Sequence, residues 1–355
     1  MTQAMSLIQK PIMTILPTQE PTLHQLVMGD EAAALQAIDN DQDLRVIKNI
    51  NLLRESIPMT SKAEIQKIQS ELATVARGHA MLLHVTVSPD VSRRIDKNET
   101  ALYGDNMADI TNVLADALQH ELSMPVVRLA SNVAQSDDLD TEQAHLSSLV
   151  ESYMVSKQVS DRLRDKPGTR VHSSHTLHSL ALNIGLDQGT HLGSAPVINL
   201  GAAHQDPQDV RMAMLGDVTN IISVTVNHET APEALDQMIQ TLNKDAVPGK
   251  LAVVFAMGAD KVDAKLGGLL DVLSRHGDAA MAVCDPSAEN ATLAEMKHEA
   301  TSFTRQCQDH QLHPAGLQLQ VNLADIHQKD MVDQLVVPMA RNQVLLGTQK
   351  LLRRG

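Results

Sequence analysis

Eight short apolar runs follow one another along the chain between residues 79 and 322, and stretches with helical spacing separate them. Most of the runs are continuously apolar, which is typical of parallel strands covered by helices on both faces. A strand followed by a helix, repeated eight times, predicts an α/β fold of the (β/α)8 TIM barrel type. The runs are HAMLLHVTV (79–87), MPVVRLAS (124–131), TRVHSSH (169–175), PVINLG (196–201), NIISVTVN (220–227), LAVVFAMG (251–258), AAMAVCD (279–285) and GLQLQVN (316–322).

Helical patterns lie between these runs and after the last one. The predicted helices are Asp105–Leu122, Leu146–Leu163, Pro232–Leu242, Asp263–His276, Ala288–Asp309 and a closing helix at Asn342–Arg353. The third and fourth runs are weak, and the connection between them is short. A doubly wound open sheet is therefore the alternative architecture.

The segment before the first run predicts an N-terminal extension. Residues 1–40 contain prolines and no sustained period, so they are interpreted as an arm, and residues 41–355 as the barrel with its preceding helices. A helical pattern starts at Gln42 and stops at Pro58. A second helix starts at Ser61, with Glu64 completing a capping box. Its apolar positions have helical spacing: Ile65, Ile68, Leu72 and Val75.

Composition excludes several classes of function. The chain has 43 acidic and 29 basic residues, and a net charge of -14 disfavours nucleic acid and anionic membranes as partners. Aromatic residues are 1% of the chain, so few side chains could stack on nucleic-acid bases. Two cysteines without a CxxC pair fit a reducing compartment, and no apolar run is long enough to span a bilayer. We expect a cytoplasmic, soluble protein.

The predicted ends of the strands carry polar but nearly uncharged side chains. In a barrel of this type the reactive groups lie at these ends and in the loops after them. A divalent metal centre needs several His, Cys, Asp or Glu ligands, and a phosphate site needs cations or a glycine-rich nest. Neither set is present, so the sequence predicts no metal and no cofactor. The candidate positions are His84, Thr86, Ser88, Ser131, Asn132, His172, His175, Asn199, Thr225, Asn227, His228, Ala256, Lys261, Cys284, Asp285, Gln318, Gln320 and Asn322.

Two local motifs have both a chemical and a structural interpretation. In VHSSHTLH, a histidine recurs every third residue, and helical spacing would place His175 and His178 on adjacent turns, able to share an ion. The alternative is hydrogen-bonded or surface histidines. Cys284 followed by Asp285 is either a nucleophile beside a carboxylate or a small buried thiol at the end of a strand.

Several segments resemble type II 3-deoxy-D-arabino-heptulosonate 7-phosphate (DAHP) synthases, the enzymes that open the shikimate pathway. They follow the family's order from about residue 44 to the C-terminus, and the resemblance implies a (β/α)8 barrel with N-terminal additions. The segments are ESIPMTSKAEIQKIQSELATVARGHAMLL (55–83), SMPVVRLA (123–130), SSLVESY (147–153), PGKLAVVFAMGADKV (248–262), CDP (284–286) and HPAGLQLQV (313–321).

The resemblance implies that the metal site of these synthases is lost. Members of the family condense phosphoenolpyruvate with erythrose 4-phosphate at a divalent metal held by a cysteine, a histidine, a glutamate and an aspartate. By the resemblance, these ligands fall, in that order, at Ser88, Ala288, Gln320 and near Val337. Alanine and valine have no donor atom for a metal, and serine and glutamine are poor ligands.

The phosphate-binding cations of the family are replaced as well. Two arginines after the fourth strand fall at about Ala203 and Gln205, a lysine of the fifth strand at Thr225, and an arginine of the sixth at Ala256. A Lys-Pro-Arg segment after the second strand falls at residues 138–140, which read Asp-Leu-Asp. Two phosphorylated substrates would lose their charge-assisted hydrogen bonds.

These replacements predict a non-catalytic, DAHP synthase-like pseudoenzyme, for which synthase activity is expected to be absent. It would act as a scaffold, regulator or subunit of an assembly in shikimate, aromatic or secondary metabolism. The family resemblance implies self-association or a protein partner. The apolar arm segment Ile8–Leu26 is the predicted contact, and a flap packed on its own barrel is the alternative.

Two other functions remain open. The first is an enzyme with a rebuilt, metal-independent pocket, in which a histidine is the general base and Lys261 or an amide stabilises an anion. The second is a sensor that binds a small molecule at the same barrel mouth. The candidate pocket residues are His84, His172, His175, His228, Lys261, Cys284 and Asp285.

Overall fold

The computed structural model describes residues 60–87, 97–122, 124–134, 170–176, 190–193, 195–200, 210–286 and 291–321. Several predictions lie outside these residues. They are the arm of residues 1–40, the helix that starts at Gln42, the helix Leu146–Leu163 and the closing helix Asn342–Arg353.

Eight parallel strands form one curled sheet, and each predicted run overlaps one of them. Three of the strands, β2, β3 and β8, extend beyond the predicted runs that they overlap. Neighbouring strands pair in chain order, and the last strand also pairs with the first. This sequential order differs from a doubly wound sheet, in which the strand order reverses. The strands are β1 (Met81–Val87), β2 (Val126–Ala134), β3 (Arg170–Thr176), β4 (Val197–Leu200), β5 (Ile221–Val226), β6 (Leu251–Phe255), β7 (Met281–Cys284) and β8 (Pro314–Val321).

Helices connect most of the described strands and confirm an α/β fold. The connections after β2 and β3 and the segment after β8 lie outside the described residues, so the complete eightfold alternation stays a prediction. Among the described helices, none is long and apolar enough to cross a membrane. The helices are α1 (Lys62–Ala76), α2 (Lys97–Leu122), α3 (Val210–Asp217), α4 (Pro232–Leu242), α5 (Val262–His276) and α6 (Leu293–Asp309).

The start of a helix follows its capping residue. Helix α4 has the predicted bounds, whereas α6 starts at Leu293 and not at Ala288. Thr292 accepts a hydrogen bond from the backbone of Glu295, and the Glu295 carboxylate accepts one from the backbone of Thr292. This capping box satisfies two N–H groups that the first turn would otherwise leave unpaired, so it fixes the first residue of α6.

Helix α1 closes the barrel at the amino-terminal ends of the strands. Ser61 caps the helix by accepting a hydrogen bond from the Glu64 backbone at 3.2 Å, as predicted. All four predicted apolar positions are buried. Ile68, Leu72 and Val75 join one apolar cluster with side chains from the strands. The strand members of this inner cluster are Leu82, Leu129, Val197, Ile221, Ala252, Val254, Met281, Val283 and Ala315.

The alternate residues of the same strands face the helices. Leu83 and Val85 of β1, for example, belong to a second cluster with α2, α4, α5 and α6. Successive side chains of a strand point to opposite faces of the sheet. The two clusters therefore identify the inner and outer faces of each strand, and they explain why the runs are continuously apolar.

Buried polar side chains hold the backbone at the amino-terminal ends. The Asn220 amide donates to the carbonyls of Leu192 at 3.0 Å and Ala195 at 2.7 Å, and it accepts from the Leu192 N–H at 2.8 Å. Asn220 is fully buried. All three bonds end on backbone groups that would otherwise lack partners in the interior.

Asn243 and Lys250 make similar contacts. The Asn243 amide donates to the carbonyls of Val247 at 3.0 Å and Ala279 at 2.7 Å. The Lys250 ammonium donates to the carbonyl of Gly216 at 2.8 Å, and burial lowers the pKa of this lysine. Hydrogen bonds from buried side chains to backbone groups therefore hold the chain at the amino-terminal ends of the strands.

The seam between the first and last strands requires a glycine. Gly316 has a φ of 154°, and β8 changes register against β7 at this point. A Cβ atom on Gly316 would lie 1.8 Å from the carbonyl oxygen of Leu82 in β1. Any larger residue would force the two strands apart.

Candidate functional site

Above the apolar inner cluster, the inner face of the sheet turns polar. His84 lies on the same face as Leu82, two residues further along β1, and the polar residues of β4, of β5 and directly after β7 follow inner residues of their strands in the same way. Gln318 lies on this face because it pairs in register with His84, beyond the register shift of β8 at Gly316. No lysine or arginine is among these polar residues, within the part of the chain whose side chains are described. These inner polar residues are His84, Asn199, Ser223, Thr225, Asp285 and Gln318.

Three of these side chains form a hydrogen-bonded row across neighbouring strands. His84 on β1 and Gln318 on β8 are register partners, and His84 Nδ1 lies 3.0 Å from Gln318 Oε1. Gln318 Nε2 donates to Asp285 Oδ2, also at 3.0 Å. The row joins an imidazole to a carboxylate through one amide, so the inner face has an ordered polar network.

The imidazole in this row is neutral at physiological pH. Burial lowers the pKa of His84 to about 4, and the hydrogen bond with Gln318 opposes that change only in part. Only 7% of the residue is exposed. A neutral imidazole offers one N–H donor and one lone-pair acceptor, which suits it to bind a polar group or to accept a proton.

Asp285 and Cys284 face different sides of the sheet. Asp285 is 1% exposed, its N–H donates to the carbonyl of Phe255 at 2.9 Å, and its side chain joins the inner row. Cys284 lies in the outer cluster, where its thiol is free and fully buried. Burial raises the pKa of this thiol well above its usual value. Cys284 therefore matches the interpretation as a buried thiol and does not share a pocket with Asp285.

The loop after β6 is held from outside the barrel by a buried carboxylate. Glu299 of α6 is 2% exposed, and its Oε1 accepts from the N–H groups of Met257 at 2.7 Å and Gly258 at 3.0 Å. Burial raises the pKa of Glu299, and the two N–H groups counteract the rise. Glu299 thus fixes the course of the loop that leads to Lys261. It is a functional candidate that the sequence reasoning missed.

Lys261 and His228 follow β6 and β5, at the rim of the barrel. The Lys261 ammonium pairs with Asp260 at 2.8 Å, and its side chain is 46% exposed. The hydrogen bond from Lys261 is the main reason for the lowered pKa of Asp260, and His228 contributes a smaller effect. The cation at this rim is therefore paired with a carboxylate beside it in sequence.

His172 and His175 of the VHSSHTLH motif lie in strand β3, as the third apolar run predicts. The helix that the metal alternative requires at His175 does not form there. His178 lies outside the described residues. Within the described part of the chain, no group of three His, Cys, Asp or Glu side chains is placed to hold a metal ion.

Most positions inherited from the synthase resemblance fall outside the described residues. This holds for Ser88, Ala288, Val337, Ala203, Gln205 and residues 138–140. Gln320 is described, and it pairs in register with Thr86 of β1. The predicted loss of the metal ligands, Gln320 included, stays a prediction.

Comparisons with known proteins agree with the resemblance. Residues 187–313, from before β4 to the start of β8, match the model of the class-II DAHP synthetase family. A probable phospho-2-dehydro-3-deoxyheptonate aldolase of Pseudomonas fluorescens is 24% identical over 285 residues, which cover 68% of this chain and 70% of that protein. The phospho-2-dehydro-3-deoxyheptonate aldolase AroG of Mycolicibacterium smegmatis is 21% identical and covers 86% of each chain. A chloroplastic relative from Catharanthus roseus is 28% identical over 110 residues, 31% of this chain and 22% of its own length.

Proposed function

We propose that this chain is a DAHP synthase-like protein of aromatic biosynthesis that has a complete (β/α)8 barrel and does not catalyse DAHP synthesis. The family match and the distant relatives support the association with that pathway. The absence of synthase chemistry is our inference from the residues at the barrel mouth. In this proposal the protein is cytoplasmic and works with a protein partner or with further copies of itself.

One observation carries the non-catalytic part of the proposal. The carboxyl-terminal ends of β5, β6 and β8 hold Thr225, Ala256 and Gln320, where the resemblance places a lysine, an arginine and a metal-binding glutamate. Phosphate groups bind through charge-assisted hydrogen bonds, which these three side chains do not offer. A mouth of this composition has little affinity for two phosphorylated substrates and little means of activating them.

An activity assay tests this proposal. The full-length protein is incubated with phosphoenolpyruvate, erythrose 4-phosphate and Mn²⁺, and a catalytically competent class-II synthase is assayed beside it. We expect product only in the control reaction. Formation of DAHP by this chain, above the level of a heat-inactivated sample, would contradict the proposal.

Association with a partner is tested separately. The full chain and a variant lacking residues 1–40 are compared by size-exclusion chromatography with light scattering, alone and after purification from the native cell. If the arm makes the contact, the variant has the lower mass. An equal mass for both proteins would remove the arm segment Ile8–Leu26 from the proposal.

A second candidate is an enzyme with different, metal-independent chemistry, or a sensor at the same mouth. The observation that favours it is the row from His84 through Gln318 to Asp285, since a neutral buried imidazole tied to a carboxylate suits acid and base chemistry. Binding of a cellular metabolite by wild-type protein, and its loss in His84→Gln, would support this candidate. Binding retained in the variant would count against it.

A further inference from the structure

The order of hydrogen-bonding groups in the inner row restricts what His84 can bind. Gln318 contacts Asp285 and His84 with opposite ends of one amide. A carboxylate oxygen only accepts hydrogen bonds, so the amide end that faces Asp285 must be the NH2 group. The end that faces His84 is then the carbonyl oxygen, which also only accepts.

This order fixes the position of the proton on His84. An acceptor at 3.0 Å from Nδ1 requires a proton on that nitrogen. In a neutral imidazole the other nitrogen, Nε2, then carries a lone pair. The burial of the ring favours the neutral form and supports this assignment.

We propose that Asp285, acting through Gln318, holds His84 in the tautomer with its proton on Nδ1, so that Nε2 always presents a hydrogen-bond acceptor. Asp285 and Gln318 are positioning residues in this arrangement, and His84 is the group that they orient. A group that meets Nε2, whether from this chain or from a ligand, must donate through O–H or N–H.

The tautomer does not depend on the proposed function. It follows from three side chains and two distances, and it holds whether or not the protein has synthase activity.

Nuclear magnetic resonance of the full-length protein with isotope-labelled histidine tests the tautomer directly. At neutral pH we expect the His84 ring to show a protonated Nδ1 and an unprotonated Nε2, with its signals identified by their loss in His84→Gln. A proton on Nε2, or a doubly protonated ring, would overturn the inference from the wild-type spectrum alone, so the outcome does not depend on whether a variant folds.

Two variants test whether Asp285 sets the tautomer of His84 or only contributes to the stability of the fold. Asp285→Asn can present either a donor or an acceptor to Gln318, so we expect a mixture of both tautomers at His84. The matched control is Asp271→Asn, because Asp271 contacts His310 Nδ1 at 2.8 Å on the outside of the barrel. The control should change the signals of His310 and leave His84 unchanged. An unchanged tautomer in folded Asp285→Asn would mean that Asp285 does not act through Gln318.

Synthase activity, measured separately, would contradict the proposed function without changing the tautomer.

Discussion

The two ends of the strands use buried polar side chains in different ways. At the amino-terminal end, Asn220, Asn243 and Lys250 bind backbone carbonyl and N–H groups beneath an apolar cluster that α1 closes. At the carboxyl-terminal end, the inner row from His84 to Asp285 joins side chains to one another. Bonds to backbone fix the course of the chain, whereas bonds between side chains fix the orientation of chemical groups.

This difference separates stability from chemistry within one sheet. A side chain that satisfies buried backbone groups cannot be removed without leaving those groups unpaired. Inner side chains at the other end can change while the backbone keeps its partners. The comparison therefore predicts large losses of stability from substitutions at the amino-terminal end and mainly altered binding properties from substitutions at the carboxyl-terminal end.

The largest effect is expected at Asn220. Asn220→Ala removes three hydrogen bonds and leaves backbone groups of Leu192 and Ala195 unpaired in the interior. We expect a loss of about 3 kcal/mol in the free energy of unfolding, measured by urea denaturation. Gln240→Ala is the control, because this exposed amide bonds only to the Asp236 side chain in the structure. A loss at Asn220 no larger than that of the control would refute the assigned role.

The pH dependence of stability tests the other end. Because burial lowers the pKa of His84 to about 4, the folded protein binds fewer protons than the unfolded chain between that pH and about 6.5. The contribution of His84 to the free energy of unfolding is therefore largest above pH 6.5. It falls by about 3 kcal/mol as the pH decreases toward 4. His84→Gln should flatten this decline in urea denaturation at several pH values. A decline as steep in His84→Gln as in the wild-type protein would contradict this assignment.

Substitutions of Glu299, which lies on α6 outside the barrel, test what holds the loop after β6. Glu299→Ala leaves the N–H groups of Met257 and Gly258 without their acceptor, and we expect a loss of about 2 kcal/mol. Glu299→Gln keeps an acceptor and should stay within about 1 kcal/mol of wild type at pH 7.

The two Glu299 variants also differ in their dependence on pH. Since the pKa of Glu299 is raised in the folded state, the wild-type protein loses stability as the pH rises above the usual glutamate value. The glutamine variant lacks this loss, and denaturation at pH 4 and pH 7 measures it. Equal losses in Glu299→Ala and Glu299→Gln would show that the loop does not depend on the acceptor.

The smallest effect is expected at an exposed ion pair on the amino-terminal side. Arg77, the C-cap residue of α1, lies 3.6 Å from Asp278, and both side chains are about half exposed. Arg77→Ala should cost less than about 0.5 kcal/mol, because solvent screens such pairs. Leu72→Ala, in the same helix and 2% exposed, should cost at least about 2 kcal/mol. The reverse ranking in thermal denaturation would mean that charge and not apolar burial holds α1.

Much of the fold was predictable because strand and helix patterns are local. Each of the eight apolar runs overlaps one of the eight strands, and the apolar spacing of α1 identified its buried face. The start of α6 was wrong because Thr292 and not the apolar pattern determines it. VHSSHTLH was ambiguous because histidine suits either period, and pairing with β2 and β4 decides for a strand.

The candidate site was less predictable because it depends on contacts between distant residues. His84 and Asp285 were candidates from their places after apolar runs, but the sequence did not indicate that Gln318 joins them. Glu299 left a signal that was missed: a carboxylate among the buried positions of α6, between Met296 and Phe303. A charged residue on an apolar helix face requires a partner, here the two backbone N–H groups.

The seam at Gly316 has a consequence for the order in which the protein is made. Strands β1 and β8 meet there without room for a side chain, and His84 and Gln318 lie 234 residues apart in the chain. During translation β1 leaves the ribosome long before β8. The edge of β1 that pairs with β8 therefore stays unpaired while the residues between the two strands are translated. The His84 ring can bond to the Gln318 amide only after β8, the last described strand, has been translated, so the inner row forms late.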